Sequence, residues 1–286
     1  RAGAGLGPAG GGLQARTSQA DVPRSPVASR PAPSLLYRRH AFRWRDQPHP
    51  FAQRSLPSSA GDSVVFQSPT AGALHALVAD HVVQGRVVFP GAGYLEMARA
   101  AGARALCAVY FLQPLAIEAH GVLVECVVSK GRFEVCSREA GAVDAVTVHC
   151  SGATSGATAW GRIEHASLRA PSVAADVGAL YDGFDAVGLQ YGPGYRTLVH
   201  AWGGASHALA RLRTRSAREG TQVHPADLDD ALCTSGVLAS SGAGGETLLP
   251  FAVDDALLRG ATGELWAVRA AGATESALCL CAPLLR

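Results

Sequence analysis

The residues best suited to acid–base chemistry stand together in Asp80-His81-Val82-Val83-Gln84-Gly85-Arg86-Val87-Val88-Phe89-Pro90-Gly91-Ala92-Gly93-Tyr94. A histidine precedes a turn glycine, a short strand follows, and Pro90-Gly91 opens a helix. Histidine is the side chain that titrates near neutrality. A helix N-terminus offers free N–H groups and a positive dipole end to an oxygen that gains charge. By spacing alone the plainer reading of a lone histidine here is a partly buried structural residue beside a β-turn.

A second segment is His224-Pro225-Ala226-Asp227-Leu228-Asp229-Asp230-Ala231-Leu232-Cys233. In a helix, Asp229 and Cys233 share a face. A carboxyl there is desolvated by its apolar neighbours, which raises its pKa and lets it serve as an acid. The plainer reading is that Asp227, Asp229 and Asp230 occupy the first helical turn, where acids suit the dipole. A third segment, Gly188-Leu189-Gln190-Tyr191-Gly192-Pro193-Gly194-Tyr195-Arg196-Thr197-Leu198, breaks regular structure and leaves two tyrosines near a turn. Tyr191 could offer a hydroxyl to a ligand, though a tyrosine packed on a proline in a surface turn is commoner. No local ligand spacing supports a metal at His81, His224 and Asp229. The chain has no G-x-S-x-G elbow, phosphate loop, dinucleotide fingerprint or H-E-x-x-H helix.

The elements that must position these residues follow from the apolar periodicity. Tyr94, Leu95, Met97, Ala98 and Ala101 have the spacing of a buried helix. Ala226 to Leu238 reads as a second helix with Pro225 at its start. Short strands are expected over Asp62–Phe66, Arg86–Phe89, 109–119, 122–129, 132–138 and 145–153, and again over 248–253, 264–270 and 276–282. Leu74 to Val83 is ambiguous between helix and strand. Ser151 to Ala175 reads as a less ordered boundary. Each half then has one apolar helix amid short strands, which favours two α+β halves over an alternating α/β sheet.

The chain has 286 residues, 48% hydrophobic and 17% charged, with a formal net charge of +2. That is not the basic profile of a nucleic-acid binder. No apolar run reaches the ~18 residues of a membrane span, so no membrane partner is expected. The seven cysteines include no C-x-x-C pair and suit a reducing, cytoplasmic setting. Nearly all the basic charge is arginine, Lys130 being the only lysine. Residues 1–33, rich in Gly, Ala, Pro and Ser, have linker composition and are expected to be disordered, as in a piece cut from a longer polypeptide. From Ser34 a leading strand is expected.

Taken together, the three segments resemble the dehydratase domain of modular type I polyketide synthases. That family's H-x-x-x-G-x-x-x-x-P stands here as His81, Gly85 and Pro90, followed by its G-A-G-Y-L-E-M-A run at Gly91 to Ala98. Its Y-G-P-x-F element stands as Tyr191-Gly192-Pro193-Gly194-Tyr195, and its H-P-x-x-x-D-x-x-x-Q/H element as His224-Pro225, Asp229 and Cys233. Weaker matches are Trp44 to His49-Pro50, His149 to Gly152, and Leu249-Pro250-Phe251.

The resemblance implies an α+β double hot-dog fold, in which each half is a curved antiparallel sheet around a central helix. The halves are expected at 34–165 and 166–286. It implies loss of water from a 3-hydroxyacyl thioester on an acyl carrier protein, whose phosphopantetheine arm presents the chain. No metal or other cofactor is expected. His81 would be the general base and Asp229 the acid, with Tyr191, Gly91, Cys233 and Pro193 against the substrate. Gly85, Pro90, Gly192, His224 and Pro225 would be structural motif positions. Other synthase domains in cis and a homodimer are the implied partners. Three departures stand out. Cys233 replaces Gln or His, Arg196 stands where Gln is common, and Asp227 and Asp230 add charge that is expected to raise the pKa of Asp229. Alternatives are a cyclase or double-bond isomerase of pyran-forming or product-template type, or a non-catalytic structural module. Low charge and high apolar content suit a tunnel for an acyl chain.

Overall fold

Alternating apolar residues between 105 and 154 build the largest sheet of the molecule, and an apolar helix lies against it. The computed structural model describes residues 49–57, 62–103, 105–117, 121–141, 145–156, 165–237, 251–258, 263–270 and 277–281. The expected N-terminal linker, the leading strand at 34–48, Trp44, and Leu249-Pro250 lie outside them.

The described elements of the first half are β1 (Arg54–Pro57), β2 (Ser63–Pro69), α1 (Ala73–Val78), β3 (His81–Val83) and β4 (Arg86–Val87). They continue with α2 (Gly91–Ala100), β5 (Ala105–Phe111), β6 (Val122–Ser129), β7 (Arg132–Glu139) and β8 (Thr147–Thr154). Then come α3 (His165–Arg169), β9 (Val173–Ala175), α4 (Val177–Ala186), β10 (Leu189–Tyr191), β11 (Leu198–Gly203) and β12 (His207–Leu212). The last are α5 (Pro225–Cys233), β13 (Ala252–Leu257), β14 (Leu265–Ala270) and β15 (Ala277–Cys281).

The strands form a seven-stranded sheet in the order β1-β2-β6-β7-β8-β5-β13 and a five-stranded sheet in the order β15-β14-β12-β11-β9. Every pairing between named strands is antiparallel. Strand β13, from the second half of the sequence, extends the first sheet beside β5. A third sheet, β10-β3-β4, joins the halves and pairs Tyr191 with His81.

Helix α2 buries Tyr94, Leu95, Met97 and Ala98 against Leu106, Val109, Val124, Phe133 and Val135 of the large sheet. Each large apolar side chain so buried contributes about 1.5–3 kcal/mol. Gly93 is required by packing, since a Cβ there would meet the Phe89 ring at 2.7 Å. Helix α5 buries Ala226 and Ala231 in a second core with Tyr181, Tyr191, Tyr195 and Leu212. Small residues on this helix let it approach the five-stranded sheet, and Leu228 reaches the first core instead.

Several local expectations change. The ambiguous run splits into α1 and β3, with Leu74, Leu77 and Val78 buried at helical spacing. β8 runs to Thr154, into the stretch read as less ordered. The second half has a further helix, α4, whose Gly178, Asp182, Gly183 and Asp185 hide the apolar period; only Tyr181 of it is buried. Helix α5 ends at Cys233 and tightens into a 3₁₀ turn, Thr234–Val237.

Candidate active site

His81 begins β3, where its pairing with Tyr191 fixes the backbone. The β3–β4 hairpin turns through Gln84 and Gly85, both with positive φ (50° and 77°), as a two-residue turn of this hand requires. Gly85 N–H then donates to the Gln190 side chain at 2.7 Å, tying the turn to β10. The imidazole is 4% exposed. Its Nδ1 lies 2.6 Å from the Val88 carbonyl oxygen. A carbonyl can only accept, so Nδ1 holds a proton, and the tautomer this selects leaves Nε2 as the basic atom. That Nε2 lies 3.7 Å from Asp229 Oδ2. Two tyrosine rings hold the imidazole, Tyr191 at 5.4 Å and Tyr195 at 5.2 Å between centroids.

Asp229 is 7% exposed, and its Oδ2 has no hydrogen-bond partner among the described residues. Burial pushes its pKa above the usual carboxylate range, while His81 and the Tyr191 hydroxyl pull it down. Of the neighbouring acids, Asp230 and Asp229 repel each other, while Asp227 is not among the causes of the shift. Asp227 is neutralised by Arg215, whose Nε donates to Oδ1 at 2.7 Å. Only Asp227 lies in the first turn of α5, so Asp229 and Asp230 are not dipole-serving acids. Asp230 is buried and accepts from Tyr181 Oη, Thr197 N and Thr197 Oγ1, all on Oδ2. Its Oδ1 has no such partner, and burial lifts the group to about 7.

Helix α5 starts as the sequence suggests, with Pro225 in its first turn and His224 at the N-cap. The His224 Nδ1 accepts from Ala226 N at 3.2 Å. Burial, with Arg215 and Arg213 nearby, lowers its pKa to about 3, which keeps the ring neutral as an acceptor requires. Cys233, one helical turn beyond Asp229, lies 3.3 Å from the Tyr191 hydroxyl. Burial and the two carboxyls push this thiol well above its ordinary value, so it stays protonated.

The Tyr191-to-Tyr195 turn is fastened by Asp80, a residue to which the sequence reading gave no role. Its carboxylate accepts Gly194 N–H at 2.6 Å, and its carbonyl accepts Gly192 N–H at 2.8 Å. A Cβ on Gly192 would meet Asp80 Oδ1 at 2.5 Å, so glycine is needed for this approach. Arg196, the departure from Gln, donates to the Tyr191 carbonyl at 2.7 Å and lies over the Tyr181 ring. The Pro193 carbonyl accepts from Arg213 at 3.2 Å.

Pro90 caps α2 without a side-chain hydrogen bond, and Gly93 and Tyr94 N–H turn back to its carbonyl. The helix therefore begins at Gly91 without a side-chain cap from its N-cap residue. Farther along α2 is Glu96, also unassigned from sequence, which is wholly buried. It accepts from Arg99 (2.6 and 2.9 Å), His49 Nε2 (3.0 Å), Gln222 N (2.7 Å) and Val223 N (3.3 Å). Gln222 and Val223 lead directly into His224, so this carboxylate ties α2 to the start of α5. An acid inside an otherwise apolar helical run was the available signal.

Most of the chain is similar to known proteins. A model described as the polyketide synthase dehydratase domain matches residues 49–138. A second, described as the polyketide synthase dehydratase N-terminal domain, matches 164–277. Polyketide synthase ThaG of Burkholderia thailandensis is 34% identical over 231 residues, 71% of this chain and 4% of the relative. Polyketide synthase GfsA of Streptomyces halstedii is 32% identical over 244 residues, 78% of this chain and 3% of the relative. The chain thus spans a small fraction of the length of these relatives. The dehydratase domain from the CurF module of curacin polyketide synthase superposes with a TM-score of 0.72 at 25% identity, covering 81% of this chain and 92% of that one. The fold is the α+β double hot-dog.

Proposed function

The chain belongs to the dehydratase-domain family of modular type I polyketide synthases, and on that premise we propose that His81 and Asp229 remove water from a 3-hydroxyacyl thioester. The bare Nε2 of His81 takes the proton on C2. Asp229, protonated beforehand, gives its proton to the C3 hydroxyl. The C3–O bond breaks, the C2=C3 bond forms and water leaves, giving the 2,3-enoyl thioester. The N–H groups at Gly91 receive the charge that gathers on the thioester oxygen. Tyr191 orients the hydroxyl, and Pro193 and Cys233 border the chain. The single observation supporting this reading is the 3.7 Å approach of the His81 Nε2 to a buried carboxyl, whose pKa that burial raises.

The substrate is held on the phosphopantetheine arm of an acyl carrier protein, beside other synthase domains in cis, in a cytoplasmic homodimer. No described helix is long and apolar enough to cross a membrane. The test is to incubate the protein with 3-hydroxybutyryl-pantetheine and follow the products by mass. Loss of one water with a conjugated alkene is expected. His81→Ala and Asp229→Asn should each lower turnover about 10²–10⁴-fold, the usual worth of one acid or base. Wild-type rates in either variant would remove the assigned roles. Cys233, a poor donor beside Tyr191, favours a second reading, a double-bond isomerase or cyclase using the same pair. An isomer of equal mass or a ring would establish it.

A further inference from the structure

Tyr195 is 2% exposed, yet its hydroxyl has no hydrogen-bond partner among the described residues. A buried hydroxyl left in that state has lost its water without gaining a partner, whereas phenylalanine would fill the same space without that cost. Phenylalanine is what the resembling Y-G-P-x-F element has at this position. The other tyrosines of this core are satisfied: Tyr191 meets Cys233, and Tyr181 donates to Asp230. Tyr94 also lacks a partner, but its ring neighbours are Phe89, Phe111 and His149 rather than the His81–Asp229 pair.

Tyr195 belongs to that pair. Its ring lies 5.2 Å from the imidazole of His81 and 6.1 Å from the ring of Tyr191. Its backbone is fixed by the N–H bond to the Gly192 carbonyl and by the Asp80 clamp on Gly194. The carboxyl it feels most strongly is that of Asp229. With burial, this keeps the phenol protonated, so that it can act only as a neutral hydroxyl. Cys233 meanwhile engages the Tyr191 hydroxyl with a thiol that donates poorly.

We propose that Tyr195 is a substrate-contacting residue whose hydroxyl donates a hydrogen bond to the C3 oxygen of the 3-hydroxyacyl chain. The proposal rests on the dehydratase reading above. It makes the site prefer a 3-hydroxyacyl chain over its saturated counterpart, through a donor placed beside the proton-giving carboxyl.

The experiment compares binding of 3-hydroxybutyryl-pantetheine and butyryl-pantetheine to His81→Ala protein, with and without Tyr195→Phe, alongside thermal unfolding. Binding in this background does not depend on turnover. The expected result is a preference for the hydroxyl-bearing thioester that falls about tenfold in Tyr195→Phe, the worth of roughly one hydrogen bond. Tm should hold or rise. An unchanged preference would overturn the proposal, and so would a lower Tm, which would assign the hydroxyl to the fold. Failure of the protein to bind either thioester would instead sink the substrate reading itself.

Discussion

Helix α2 buries Glu96 and helix α5 buries Asp229, and the two carboxyls meet opposite surroundings. Glu96 accepts from an arginine, a histidine and two backbone N–H groups, and these donors hold its pKa below the usual range despite complete burial. Asp229 has an oxygen without a hydrogen-bond partner among the described residues, and burial raises its pKa. Burial alone does not decide the charge of an acid; the supply of donors does. Asp230 lies between the two cases, with one oxygen saturated, the other empty, and a value near 7. The molecule thus supplies donors that favour the charged form of a carboxyl where two helices are joined, and beside His81 it buries a carboxyl whose neutral form is favoured.

The strongest way to break this contrast is to neutralise the anion. Glu96→Gln leaves Arg99 buried without its countercharge, so a loss of about 3 kcal/mol is expected at pH 7, measured by urea midpoints. Because Glu96 has a lowered folded pKa, its contribution is present above the unfolded value of ~4.3 and is lost as pH falls through the folded value. The deficit of the variant should therefore shrink in acid. A deficit independent of pH would show that the charge is not what stabilises the joint.

Removing the clamp beside His81 should cost less. Asp80→Ala frees the Gly192–Gly194 turn that holds Tyr191 and Tyr195 on His81. About tenfold is expected from kcat/KM, or roughly 1.4 kcal/mol. An unaltered rate would mean that β10 alone positions the tyrosines.

The smallest effect has the opposite sign. A raised folded pKa means that Asp229 stabilises the fold below its unfolded value of ~3.9, and that this is lost as pH rises toward the folded value. Asp229→Asn removes the titration. The variant should therefore be more stable than the wild type, by about 1 kcal/mol at pH 8 and by less at pH 5, as read from thermal unfolding. Equal gains at both pH values would contradict a buried, titrating acid.

The helices α2 and α5 were legible because Tyr94, Leu95, Met97 and Ala98, and then Leu228 and Ala231, recur at helical spacing. The surroundings of His81 were legible because turn glycine, strand and helix start lie within fifteen residues. No periodicity joins His81 to Asp229, which stand 229 − 81 = 148 residues apart. A family motif pairs them; in the fold His81 is held by β3 and β10, and α5 carries Asp229 beside it through its packing on α1 and α2. Asp80, and the joint that Glu96 makes to α5, were illegible for a different reason. The donors there are backbone N–H groups at 194, 222 and 223, and a backbone donor leaves no mark in a sequence. Helix α4 escaped because glycines and aspartates interrupt its apolar stripe.

The most direct measurement is a ¹³C NMR titration of the side-chain carboxyls, with the Asp229 signal identified by its loss in Asp229→Asn. The Asp229 carboxyl should titrate well above ~3.9, the ordinary aspartate value, while the Glu96 signal, identified likewise, titrates below ~4.3. An Asp229 signal that titrates at or below ~3.9 would mean that the carboxyl beside His81 is an anion at neutral pH, with no proton to give to a leaving hydroxyl.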